Sequence, residues 1–103
     1  MLMAIESEDV GAPRQRAMAL NRLAGMTRMQ GDFAQARAWY EQAHLLGQAT
    51  GDGWNMSFAL NGLGRIAAAE GDLGKATEQF ELALGIRRDL MGKDPRRLSL
   101  IHI

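Results

Sequence analysis

Apolar residues return along this chain at helical intervals, and they do so twice. Phe58, Leu60, Leu63, Ile66 and Ala67 recur at spacings of two to four, and after Gly71-Asp72 the pattern resumes with Leu73, Ala76, Phe80, Ala83 and Leu84. Such spacing predicts helix faces rather than the strict alternation of a strand. A shift of 40 residues lays the chain on itself: Ala19-Leu20-Asn21 meets Ala59-Leu60-Asn61, Leu23 meets Leu63, Gly31-Asp32 meets Gly71-Asp72, Ala36 meets Ala76, and Glu41 and Ala43 meet Glu81 and Ala83. Apolar replacements extend the expected core: Met26 with Ile66, Phe33 with Leu73, Tyr40 with Phe80, Leu46 with Ile86.

Glycine and aspartate punctuate the pattern. Gly31 and Gly71 suit the left-handed residue that ends a helix. Asp32 and Asp72 follow as N-caps, whose carboxylates accept bonds from the free amides of the next helix. A two-residue joint gives a tight antiparallel pair. Longer breaks between units are expected at Gly11-Ala12-Pro13, Gly51-Asp52-Gly53 and Lys93-Asp94-Pro95, with Pro13 and Pro95 as first helical residues. The predicted organisation has residues 1–10 as the tail of a preceding repeat. Helices 13–30 and 32–49 form repeat one (13–50), and 53–70 and 72–91 form repeat two (53–92). Residues 94–97 start a further repeat.

The motif Leu60-x-x-Leu63-Gly64-x-x-Ala67-x-x-x-Gly71-x-x-x-x-Ala76-x-x-x-Phe80-x-x-Ala83 resembles the tetratricopeptide repeat. Leu20, Leu23, Ala24, Thr27, Gly31, Ala36, Tyr40 and Ala43 occupy the same places in the first unit. Small residues at Gly64, Ala24, Ala36, Ala76, Ala43 and Ala83 would let helices approach, and Tyr40 and Phe80 would fill the gap between hairpins. The resemblance implies an all-α fold, an α-solenoid of antiparallel helical hairpins coiled into a right-handed superhelix. The unit departs from the usual length of about 34 residues. Units of 40 are similar to the sensor arrays of large bacterial signal-transduction ATPases and transcriptional regulators, which implies that the chain is a fragment of such a regulator.

In that family the first helix of each hairpin lines a concave groove that accepts a peptide or partner helix. The resemblance carries over Met18, Asn21, Gly25 and Arg28 from one unit, and Phe58, Asn61, Arg65 and Ala68 from the next. Asn21 and Asn61 would offer donor and acceptor to a peptide backbone, or else bond within the array and fix hairpin stacking. Arg28 and Arg65 would take a carboxylate. The full set of basic residues of a chaperone-type clamp for a terminal carboxylate is not present. A scaffold or sensor segment that binds protein is therefore expected. The alternative is a structural helical arm of an ATPase or enzyme whose catalytic domain lies elsewhere.

Composition narrows the chemistry. Of 103 residues, 47% are apolar and 23% charged, which is globular. Lys+Arg and Asp+Glu both number 12, so the basic excess of a phosphate-backbone binder is missing and direct nucleic-acid binding is not expected. The absence of cysteine removes disulfides and thiolate metal sites and suits the cytoplasm. No apolar run approaches the roughly 18–20 residues of a membrane span. Met1–Val10 is acidic, unlike a secretory signal.

Several features imitate sites. Gly62-x-Gly64-x-x-Ala67 has dinucleotide-fingerprint spacing but lies mid-helix, with no strand before it. Gly71-Asp72-Leu73-Gly74-Lys75-Ala76-Thr77 has too short a glycine spacing for a phosphate loop. His44 has no second ligand at metal spacing. Arg87-Arg88 and Arg96-Arg97 suit helix ends and solvent. Met26 is expected in the core, with Met18 and Met29 toward the inner surface. Neither catalytic residues, cofactor nor metal is expected. Apolar faces at the repeat ends predict marginal stability or self-association.

Leu98-Ser99-Leu100-Ile101-His102-Ile103 leaves the repeat pattern. It resembles a translated transposon-end adapter (CTG TCT CTT ATA CAC ATC), with a natural apolar tail as the alternative. Other codons at that place would remove the adapter reading.

Overall fold

A computed structural model describes the backbone of residues 2–92 and the side chains of residues 12–92. The expected start of a further repeat at 94–97 and the tail 98–103 lie outside the described residues. Four helices follow in order among them: α1 Leu2–Met29, α2 Phe33–Thr50, α3 Gly53–Ala69 and α4 Leu73–Gly92. They pair as two hairpins, α1 with α2 and α3 with α4, and the hairpins stack chiefly through α2 and α3.

Three joints connect the four helices, and all three are built alike. Gly31, Gly51 and Gly71 take φ of 87°, 69° and 85°, the left-handed region that only glycine adopts without strain. At each, the amide of the following aspartate reaches back five residues: Asp32 to the Thr27 carbonyl (3.2 Å), Asp52 to Gly47 (2.9 Å), Asp72 to Ala67 (2.9 Å). This closes the last turn of each helix. Each aspartate then turns its carboxylate forward, accepting from the amides of Gln35, Asn55 and Lys75 respectively. The longer break expected at Gly51-Asp52-Gly53 is thus the same two-residue joint as the others. Gly53 is already helical.

The break expected at Gly11-Ala12-Pro13 is not there. α1 runs through Pro13 without interruption. Proline's fixed φ is itself helical, and what the helix loses at that point is one amide bond toward the carbonyl of residue 9.

The core is made of alanines around one tyrosine. Ala24, Ala36, Ala43 and Ala59 are buried, and with Ile66 they surround Tyr40, which is 2% exposed. Leu20, Phe33, Trp39 and Leu63 pack against this cluster from its margin. Burying a side chain of Tyr40's size contributes about 1.5–3 kcal/mol, and the alanines let the helices close on it. Ala76 and Ala83 are likewise buried inside the second hairpin.

Equivalent positions are not equally buried. Ile66 lies between the hairpins, whereas Met26 is 58% exposed, which corrects its expected place in the core. Leu73, expected in the core as the equivalent of Phe33, is 69% exposed. Phe80 is 37% exposed, so it fills no gap between hairpins as Tyr40 does. The cause is position in the stack: Ile66 and Tyr40 have a hairpin on both sides, while Met26 and Phe80 face outward at its two ends.

Candidate functional site

Between α1 and α3 lies an open groove of about 390 Å³. α1 contributes Asn21, Arg22, Gly25, Met26, Arg28 and Met29; α3 contributes Phe58, Asn61, Gly62 and Arg65. On α3 these fall at i, i+3, i+4 and i+7, one face of a helix. Tyr40 reaches up from α2 to form part of the floor.

One of the two glycines along that floor is required by its shape. A methyl group on Gly62 would overlap the Tyr40 ring, so only glycine lets α3 settle over it. At Gly25 a methyl group would stand 3.6 Å from the Tyr40 hydroxyl, an ordinary contact. Arg28 Nε donates to that hydroxyl over 3.5 Å, which draws its guanidinium across the groove floor.

Six of the eight residues expected from sequence meet in this groove: Asn21, Gly25, Arg28, Phe58, Asn61 and Arg65. Ala68 is not among the lining residues. Met18 lies elsewhere. It lines a second pocket between the middle of α1 and the N-terminal end of α3, with Arg14, Asp52, Trp54, Asn55 and Leu90. The Asn21–Asn55 contact stands between the two pockets. Sequence reasoning missed Arg22 and Gly62 as lining residues. The signal was available in the repeat shift, which sets Arg22 against Gly62 where most neighbouring positions agree.

The two repeated asparagines differ in use. Asn21 is 3% exposed, and its Nδ2 donates to the backbone carbonyl and to Oδ1 of Asn55, each at 3.2 Å. Asn55 Nδ2 in turn donates to Asp52 Oδ2 at 2.6 Å, and Arg14 Nε lies 3.6 Å from the same oxygen. Asn21 therefore belongs to a polar chain that ties α1 to the start of α3. Asn61 makes no side-chain hydrogen bond among the described residues and leaves its amide toward the groove.

Charge along the groove is one-sided. Arg22, Arg28 and Arg65 line it, and among the described residues no carboxylate does. The remaining lining is largely apolar: Met26, Met29, Phe58 and the Tyr40 ring. This combination suits charge-assisted bonds to an anionic group next to apolar contact. The groove offers no pair of groups placed for acid–base work.

His44 lies away from the groove, in a cleft between α2 and α4 with Glu41, Leu45, Leu60, Leu63, Gln79 and Leu82. Burial pushes its imidazole pKa below the ordinary value. Across α2 to the end of α3, Arg37 pairs with Glu70.

Two stacked antiparallel hairpins, with first helices lining an open groove and second helices behind, define an α-helical repeat protein. The family model described as Tetratricopeptide repeat matches residues 15–89, and the chain belongs to that family. Tetratricopeptide repeats generally mediate protein–protein interaction and are typically non-catalytic. No curated protein and no solved structure gives a significant match. Among the described residues, no helix is long and apolar enough to cross a membrane.

Proposed function

We propose that the α1–α3 groove holds a peptide or partner helix carrying acidic residues beside apolar ones, and that the chain serves a larger regulator as its sensor or scaffold segment. The observation that carries this reading is the lining itself: Arg22, Arg28 and Arg65 around Met26, Met29, Phe58 and Tyr40, with no acid among them. Asn61 adds an unengaged amide able to read a backbone. Arg28 and Arg65 come from different hairpins, so a bound segment would span the junction and reward correct stacking.

A labelled amphipathic helix with glutamates beside leucines serves as the probe, and its lysine-for-glutamate counterpart as control. Fluorescence anisotropy should register the acidic helix and not the basic one. The pair Arg28→Glu and Arg65→Glu should weaken binding at least about tenfold, since each charge-assisted bond is worth roughly 1.5–3 kcal/mol. Equal binding of both helices, or no loss in the double variant, would favour a structural arm over a binding groove.

A further inference from the structure

Behind the groove, α2 and α4 frame a cleft of about 480 Å³ with a different chemistry. Leu60 and Leu63 of α3 lie within it, the first buried and the second half-buried. Leu45 of α2 and Leu82 of α4 line it from more exposed positions, at 63% and 52%. Three polar side chains join these leucines: Glu41 and His44, about one turn apart on α2, and Gln79 of α4.

Each of the three offers an acceptor. Glu41 supplies a carboxylate that has no ion pair among the described residues. Gln79 Oε1 is enclosed and makes no hydrogen bond among the described residues, a state that folded proteins rarely leave uncompensated. The Gln79 side chain is only half-buried, and the broad terminal torsion of an amide lets that oxygen turn into the cleft. Burial lowers the His44 pKa, so its ring stays neutral at neutral pH and keeps one bare nitrogen. Among the described residues no cation lines this cleft. Arg37 and Lys75 line the adjoining pocket, where Arg37 is paired with Glu70.

A primary ammonium matches this set, with three N–H donors and one positive charge. Carboxylate, amide oxygen and imidazole nitrogen take one donor each, and a branched aliphatic chain packs among the leucines. A carboxylate on the same ligand would meet Glu41 with no cation to offset it. The volume suits a small molecule, whose pockets run from about 300 to 1,000 Å³, rather than a helix about 10–12 Å across.

We propose that the α2–α4 cleft is a second binding site, for a small primary amine with a branched apolar chain and no carboxylate, its ammonium held by Glu41, Gln79 and His44. The site is independent of what the α1–α3 groove binds.

Isopentylamine is the probe. In an NMR titration the His44 ring and the methyl groups of Leu45 and Leu82 should shift together and saturate, with a Kd on the order of 1–10 mM for a ligand of about six heavy atoms. Isopentanol lacks the charge and leucine adds a carboxylate, and each should bind at least about tenfold more weakly. Glu41→Gln should weaken the amine at least about fivefold and Gln79→Leu about threefold, with circular dichroism showing both variants folded. Facing His44 are Glu41 from α2, Leu60 and Leu63 from α3, and Gln79 and Leu82 from α4. Protonating the ring sets a second cation beside the ammonium, so affinity should fall at least about threefold from about pH 7.5 to about pH 5, and His44→Phe should lose that dependence. The proposal is overturned if no shift at His44 saturates, if isopentanol or leucine binds as tightly as the amine, or if folded Glu41→Gln keeps full affinity. Tighter binding by a short peptide with lysine between leucines would also overturn it, making the ligand a protein side chain.

Discussion

Tyr40 and Phe80 hold the same place in successive hairpins, yet one is the centre of the core and the other lies half in solvent. Both rest against a residue of their own hairpin's first helix, Ala24 for Tyr40's unit and Gly64 for Phe80's. Only Tyr40 has α3 closed over it from the far side, through Gly62. The difference shows that in a stacked array burial belongs to the junction and not to the repeat. A hairpin supplies half of each contact, and the neighbour decides whether the other half exists.

The widest gap should appear on truncation. Tyr40→Ala removes a fully enclosed ring and is expected to cost about 3–5 kcal/mol. Phe80→Ala, already half-solvated, should cost roughly half as much. Chemical denaturation of both variants would measure the contrast, and equal losses would mean that the junction adds nothing to Tyr40.

Overfilling should give a smaller contrast. Gly62→Ala drives a methyl group into a ring enclosed on both sides, with an expected loss of about 1–3 kcal/mol. Gly64→Ala places its Cβ 2.7 Å from Phe80 Cε1, but that ring is free to swing toward solvent. Alanine's better helix propensity, about 1 kcal/mol over glycine, should then offset most of the clash. Melting temperatures should fall clearly for the first variant and hardly for the second.

The smallest effect concerns the cleft behind the groove. His44 has its folded pKa lowered from 6.5 by burial, so the unfolded chain binds the proton more readily. Its contribution to stability is complete above the unfolded pKa, declines as pH falls through about 6.5, and levels off below the folded pKa. The difference in melting temperature between wild type and His44→Gln should therefore change on acidification below that point. A difference independent of pH would place His44 in solvent.

Much of this architecture could be read along the chain. The helical spacing, the Gly-Asp joints and the small residues inside each hairpin are local requirements, so they leave a local record. Gly-Asp occurs at 31, 51 and 71, every 20 residues, and marks a joint after every helix from α1 to α3. The flanking Gly53 made the middle joint look like a longer break. Pro13 misled in the other direction, because its φ fits the inside of a helix as well as its first turn. Of the groove, the carried-over positions came from the family pattern. That pattern does not tell Met18 from Phe58, since which side of α1 meets α3 depends on how the hairpins cross.

The sequence by itself determined that helices form, where the three joints fall and which small residues let each pair close, because backbone conformation and helix capping act over a few residues. Only the tertiary structure decided that Asn21 is bound to Asn55 while Asn61 has no side-chain bond among the described residues, that Met26 faces out while Ile66 is enclosed, and that three arginines share a groove. Those outcomes depend on groups more than 20 positions apart, brought together by the packing of α2 on α3.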